Sequence, residues 1–188
     1  MKVKRISDPT ILNLMKDQIK EYCQKIEYKE LFDIDYYNHK SLLYEIYTKK
    51  SYMKPNGSIF LLYHNNSIIS ISGTEKCKFN KDICFLAKRH SIVEKYRGRG
   101  LYSYHVLKPQ IEWAKKNGYK MGLFTWNEDR KILYEIYKRI SRGRCRWSGV
   151  VDLYKDKLIV YNGLYKINGV PQYIAGYKID NDFEWSPE

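Results

Sequence analysis

No apolar run in this 188-residue chain is longer than a strand: the longest, such as Ile59 to Tyr63, are far too short to span a bilayer. The start, Met1-Lys2-Val3-Lys4-Arg5, is basic, but Asp8, Asn13 and Lys16 interrupt the residues after it, so no signal-peptide core forms. The four cysteines, Cys23, Cys77, Cys84 and Cys145, make no C-x-x-C pair and have no histidine at metal-ligand spacing. Reduced thiols in a cytoplasmic protein, with no structural zinc or other metal, are therefore expected. Alanine is scarce, at Ala87, Ala114 and Ala175, and no repeat or low-complexity stretch is visible. Acidic residues are in deficit, 21 against 34 Lys and Arg, giving a net charge of +13. That balance favours an anionic partner: nucleic acid, a phosphate-rich cofactor or an acidic surface.

What is present reads as a mixed α/β chain. Val3 to Ile6 suits a strand, and Asp8 before Pro9 suits an N-cap with proline at the first helical position. Ile11, Leu14, Met15, Ile19, Tyr22 and Ile26 recur at helical spacing and predict one amphipathic helix from about Pro9 to Glu27. A second, shorter helix is expected over Ser41 to Lys49. Beyond the turn Lys54-Pro55-Asn56-Gly57, the runs Ser58 to Tyr63 and Ser67 to Ser72 flank His64-Asn65-Asn66 and predict a hairpin. A strand over Ile83 to Val93 then feeds the basic turn Tyr96 to Gly100.

A helix with Leu101, Tyr104, Leu107, Ile111 and Ala114 on one face comes next, with a kink expected at Pro109 and an end at Gly118. Met121 to Trp126 reads as a buried strand. Asn127 is placed to cap a helix with apolar positions Ile132, Leu133, Ile136, Tyr137 and Ile140. Short strands and turns at Asn162-Gly163 and Asn168-Gly169 complete the chain. The order β-α-α-β-β-β-α-β-α-β-β, with no linker, predicts a single domain over residues 1–188 built on a central mixed sheet flanked by helices.

The charge is concentrated. From Phe85 to Trp147 the chain carries 16 Lys or Arg against 5 Asp or Glu. Within that stretch, Glu94-Lys95-Tyr96-Arg97-Gly98-Arg99-Gly100-Leu101 is a glycine-bearing turn between a strand and a helix. A helix N-terminus offers N–H groups and a partial positive charge to a phosphate. Gly98 and Gly100 allow close backbone approach, and Arg97 and Arg99 add charge. The segment is no P-loop, because no Gly-Lys-Ser/Thr comes after it, and no dinucleotide fingerprint, because the third glycine and the downstream acid are missing. A diphosphate cradle and an ordinary turn on a basic surface both fit.

The same residues carry a family resemblance. Arg97 and Gly100 match the R/Q-x-x-G-x-G/A acetyl-CoA motif of the GNAT superfamily of N-acetyltransferases, with Tyr102 in place of the last small residue. Asn127, with Tyr134-Glu135 after it at the right spacing, resembles that family's N-x(6)-Y-E segment. The resemblance covers roughly Ser58 to Arg139. It implies a GNAT-like fold and an acyltransferase that moves acetyl from acetyl-CoA to a primary amine by direct transfer. Backbone groups of Ile92 and Val93 would then pair with the pantetheine arm, and the amides from Gly98, Arg99, Gly100 and Leu101 to Tyr102, with the Arg97 side chain, would hold the pyrophosphate. Tyr102 must in that case point away from the phosphates. Asn127 would touch the cofactor arm, and Tyr134 would sit near the sulfur.

The implied chemistry is attack of a neutral amine on the thioester, with a backbone N–H near the end of the Ile83–Val93 strand steadying the oxyanion. A thiol has a pKa of about 8.5 and a tyrosine about 10, so Tyr134 suits proton donation to the leaving sulfur. Family members often carry the base on the strand before the cofactor turn. Here Leu86 and Lys88 hold the inward positions, and His90, of the same parity, is the nearest titratable candidate. Water or an amine already deprotonated would serve instead, and His90 would then be a packing residue. The densest basic stretch, Arg139 to Trp147, joins four arginines to a tryptophan, a composition able to grip phosphates and stack a base, or simply a solvated loop. The rivals to the acetyltransferase are a GNAT fold without activity and a basic nucleic-acid-binding module. Homodimers are expected only by analogy with the fold.

Overall fold

The computed structural model describes residues 1–26, 52–142, 157–167 and 169–187, without the Arg89 side chain. The expected helix over Ser41 to Lys49, the Asn168 turn position and the latter part of Arg139 to Trp147 lie outside them. Among the described residues no helix is long and apolar enough to cross a membrane. The strands take the order β1-β2-β3-β4-β5-β8-β6, with β7 paired to β8. They are β1 Lys2–Ile6, β2 Gly57–His64, β3 Ser67–Lys76, β4 Ile83–Ile92, β5 Met121–Asn127, β6 Leu158–Val160, β7 Tyr165–Ile167 and β8 Val170–Lys178. The helices are α1 Pro9–Leu14, α2 Lys16–Lys25, α3 Leu107–Lys116 and α4 Lys131–Ser141. The chain divides into two compact units, residues 1–76 with 87–106, and residues 77–86 with 107–188.

In the first unit, β1 runs antiparallel to β2 from Lys2↔Tyr63 to Ile6↔Ile59. The β2–β3 hairpin closes through Asn65 and Asn66 at φ 47° and 61°. Asparagine tolerates that left-handed backbone, which matches the twist of the flanking strands. The period of two sends Ile59, Leu61 and Ile71 toward the helices, where Ile6, Leu12, Met15, Ile19, Tyr22 and Ile26 complete a core. Their neighbours Ser58, Phe60, Leu62, Ser70, Ser72 and Thr74 are buried as well.

Asp8 caps α1, its Oδ1 accepting from the Thr10 amide at 2.8 Å. The single helix expected from Pro9 is instead two, because Met15 leaves helical geometry at φ −100°, ψ 7°. The buried stripe is Leu12, Met15, Ile19, Tyr22 and Ile26, whereas Ile11 is 43% and Leu14 83% exposed. Both stripes have helical spacing, and contact with the sheet selects the narrower one.

The second unit begins with the first half of β4, parallel to β5 through Ile83↔Met121, Cys84↔Gly122 and Phe85↔Leu123. Antiparallel β8 covers the other edge of β5 from Met121↔Lys178 to Asn127↔Gln172 and carries β6 and β7. Cys77, Ile83, Phe85, Met121, Leu123, Ile167 and Ile174 form the core. A side chain at Gly176 would strike Met121 and Leu123, so β8 packs here at backbone range. The C-terminal part holds three strands, one more than expected. Pro109 sits in α3, and the helical segment before it, Tyr102–Val106, is a wide π turn. A proline removes one amide and crowds the preceding carbonyls, and widening the turn is one way to absorb this.

Candidate functional site

The glycine turn grows out of β4 in the first unit. Within that strand Ala87 adopts φ +52°, an uncommon left-handed conformation for a side chain with Cβ. Past it, Lys88 pairs with Glu75 of β3 at 3.2 Å. Val93 closes the strand with its amide donating to Ile69 O at 2.9 Å, and its carbonyl accepts from the Tyr96 amide at 2.9 Å. The backbone of Val93 is thus engaged inside the protein. The Ile92 carbonyl accepts from Arg97 Nε at 3.3 Å.

After the short 3-10 turn Glu94–Tyr96, Gly98 and Gly100 take φ +71° and +66°, the region that favours glycine. The chain is helical from Leu101, and the Tyr104 amide donates to Gly100 O at 3.0 Å. Arg97, Gly98 and Arg99 are exposed, and Gly100, Leu101 and Tyr102 are half-buried. A Cβ at Gly98 would meet nothing within 4 Å, so the turn is open on that side. The first amides of a helix lack partners within it, and two arginines precede them in the turn. This arrangement can hold a doubly charged phosphate group.

Tyr102, the departure from the motif, turns its ring onto His90 of β4, with centroids 4.6 Å apart. His90 Nδ1 is sealed from solvent and has no hydrogen-bond partner among the described residues. Burial pushes the imidazole down to about 4, so it is neutral at pH 7. A base with so low a pKa competes poorly for an ammonium proton, and this position suits ring packing better than the proton-accepting role expected from strand parity.

In the second unit Asn127 ends β5, exposed, and opens the 3-10 turn Glu128–Arg130. Its side chain makes no capping bond, contrary to the expected helix cap. The helix instead starts at Lys131 behind Arg130. Tyr134 of α4 is buried and lies flat on Tyr173 of β8, with ring centroids 4.4 Å apart and planes 16° apart. Lys138 Nζ sits 5.3 Å from the Tyr134 ring centre. The expected apolar face of this helix is only partly buried, since Ile132 is 71% exposed and Leu133 is exposed too. Tyr137 packs on Phe124 and Trp126, and burial raises its pKa, so its phenol stays protonated.

Two residues that contact this region had no signal in the sequence beyond being aromatic or titratable. Tyr173 supports Tyr134 from 39 residues away along the chain. His64 meets Tyr96, with Nδ1 and the hydroxyl 2.9 Å apart.

No protein-family model matches the sequence, and no curated protein does. Solved structures do match in shape. A GNAT-family acetyltransferase from Streptococcus pneumoniae superposes with TM-score 0.55 at 16% identity, covering 94% of this chain and 99% of that one. The ribosomal-protein-S18-alanine N-acetyltransferase from Escherichia coli superposes with TM-score 0.53 at 12% identity, covering 98% and 100%. The fold is that of the GNAT acetyltransferases. At identities this low the superpositions show the fold alone.

Proposed function

We propose that the chain is an acetyl-CoA-dependent N-acetyltransferase, one domain over residues 1–188, that passes acetyl directly to a primary amine. The observation that carries this reading is the turn Arg97–Gly100, left-handed at both glycines and flanked by Arg97 and Arg99, which opens the helix at Leu101 on a GNAT fold. Its open side and positive charge fit a diphosphate, and Tyr102 is turned onto His90. Acetyl-CoA would supply the activated acyl carbon and a thiolate leaving group.

The residues then divide the work. Amides from Gly98 to Tyr102 bind the diphosphate, with Arg97 and Arg99 balancing its charge. Backbone groups of β4 at Ile92 would pair with the pantetheine arm. Val93 contributes by fixing the end of that strand, since its own amide and carbonyl are already used. A backbone N–H of β4 steadies the developing oxyanion. Asn127, with no capping bond to make, is free to contact the cofactor arm. The Tyr134 hydroxyl donates its proton toward the departing sulfur. The amine would attack in its neutral form, lose one N–H proton to water as the amide forms, and leave the Tyr134 phenol to be reprotonated from solvent, with His90 acting in packing.

The acceptor is an amine-bearing molecule. The charge from Phe85 to Trp147 favours an anionic one, including an amine carried on a nucleic acid. Titration calorimetry with acetyl-CoA tests the reading. Micromolar binding that is lost in Arg97→Ala/Gly100→Trp is expected, and amines, nucleosides and tRNA are then screened as acceptors. An unmodified chain that takes up no acetyl-CoA at low ionic strength refutes the proposal.

A further inference from the structure

The turn that holds the two glycines is tied to a strand distant in sequence. His64 is the last residue of β2 and lies just past the register shift between Leu62 and Tyr63, a bulge of the kind that re-aims side chains. Its Nδ1 lies 2.9 Å from the Tyr96 hydroxyl, across 32 positions of sequence, and the two rings meet edge to face with centroids 5.5 Å apart. Tyr96 ends the 3-10 turn just before Arg97 and is itself bonded through its amide to Val93 O. Its ring then collects charge: Lys95 Nζ stands 5.1 Å and the Arg99 guanidinium 5.9 Å from its centre. A cation near an aromatic face at this range is attracted by the ring quadrupole.

We propose that His64 is a positioning residue that locks Tyr96, and that Tyr96 in turn shelves Arg99 and shapes the Gly98–Gly100 turn for a diphosphate. This rests on the reading of the turn as the acetyl-CoA site. The mechanical part is simple. Two glycines give a turn many alternative shapes, and glycine loses the most freedom on ordering. A half-buried hydrogen bond at the turn's entrance removes part of that freedom before the ligand arrives, which raises affinity without any contact between His64 and the ligand. Without the bond, Arg99 loses its shelf and the amides spread over several orientations.

Three substitutions separate this from a general loss of stability. Tyr96→Phe keeps the ring and deletes the hydroxyl, His64→Leu deletes the partner, and His64→Gln keeps a hydrogen-bonding group at similar reach. Two quantities are read: the acetyl-CoA dissociation constant by calorimetry, and hydrogen exchange at the Tyr96 and Arg97 amides by NMR. Tyr96→Phe and His64→Leu should each weaken acetyl-CoA about fivefold, the worth of one half-buried hydrogen bond. Both should speed exchange at those amides. The double variant should be no worse than either single one, because both remove the same bond. His64→Gln should restore most of the affinity.

Additive losses in the double variant would overturn the proposal, and so would weakened binding with unchanged exchange. If the unmodified chain binds no acetyl-CoA, the reading of the site is overturned and so is the assignment of the pair to ligand affinity. Unchanged exchange in both single variants then overturns the lock itself.

Discussion

Gly98 offers the cleanest test of the turn, because the structure separates backbone strain from crowding there. Its φ is +71°, and a Cβ would meet no atom within 4 Å. Gly98→Ala therefore adds no clash, only a side chain to a left-handed residue. Left-handed backbone costs an ordinary L-residue roughly 1–2 kcal/mol. Alanine also narrows the unfolded ensemble, which returns about 0.4–1 kcal/mol. The net expectation is a loss of about 1 kcal/mol in folding free energy. Asparagine accepts this conformation more readily, so Gly98→Asn should lie between glycine and alanine.

Gly100→Ala, at φ +66° with the Tyr104 ring 3.3 Å from the added Cβ, should cost the same or slightly more, since Tyr104 is partly exposed and can give way. Urea unfolding of the four proteins at one pH measures all of this, provided the slopes agree. The sign decides the matter. If Gly98→Ala raises stability, the residue does not hold a left-handed backbone, and the turn is not a preorganised cradle for a diphosphate.

Two further outcomes depend on the buried rings. Tyr134→Phe should lower turnover far more than it weakens acetyl-CoA, and equal losses of both would remove Tyr134 as the proton donor. His90 should give stability a pH dependence. Its folded pKa of about 4 lies below the ordinary 6.5, so the unfolded chain binds the proton more readily. Its contribution is fully present above pH 6.5 and is lost as pH falls toward 4, up to roughly 3 kcal/mol by linkage. His90→Phe, which keeps a ring against Tyr102, should flatten that part of the profile. An unchanged difference between pH 7 and pH 5 would mean that His90 Nδ1 is not sealed from solvent.

The sequence by itself determined the features made by neighbours along the chain. Asp8 and Pro9 start α1, Asn65 and Asn66 close the hairpin, and Gly98 and Gly100 occur where the backbone turns left-handed. Each depends on the conformational range of one or two residues, which is legible one residue at a time. The tertiary structure decided what depends on distant partners. Leu12, rather than Ile11 or Leu14, faces the core because the sheet chooses between two stripes of equal periodicity.

The break at Met15 has no glycine or proline to announce it. That the Tyr102 ring lies on His90, and that burial lowers the imidazole pKa there, depends on the packing of β4 against the segment after the turn. Asn127 stands in the cap position without capping, and Tyr134 owes its flat, buried setting to Tyr173. His64 carried no message in its own neighbourhood, and acquires one only by meeting Tyr96. Local propensity reports what a residue's own backbone can do, whereas burial, ring stacking and hydrogen-bond pairing depend on which surfaces folding brings together.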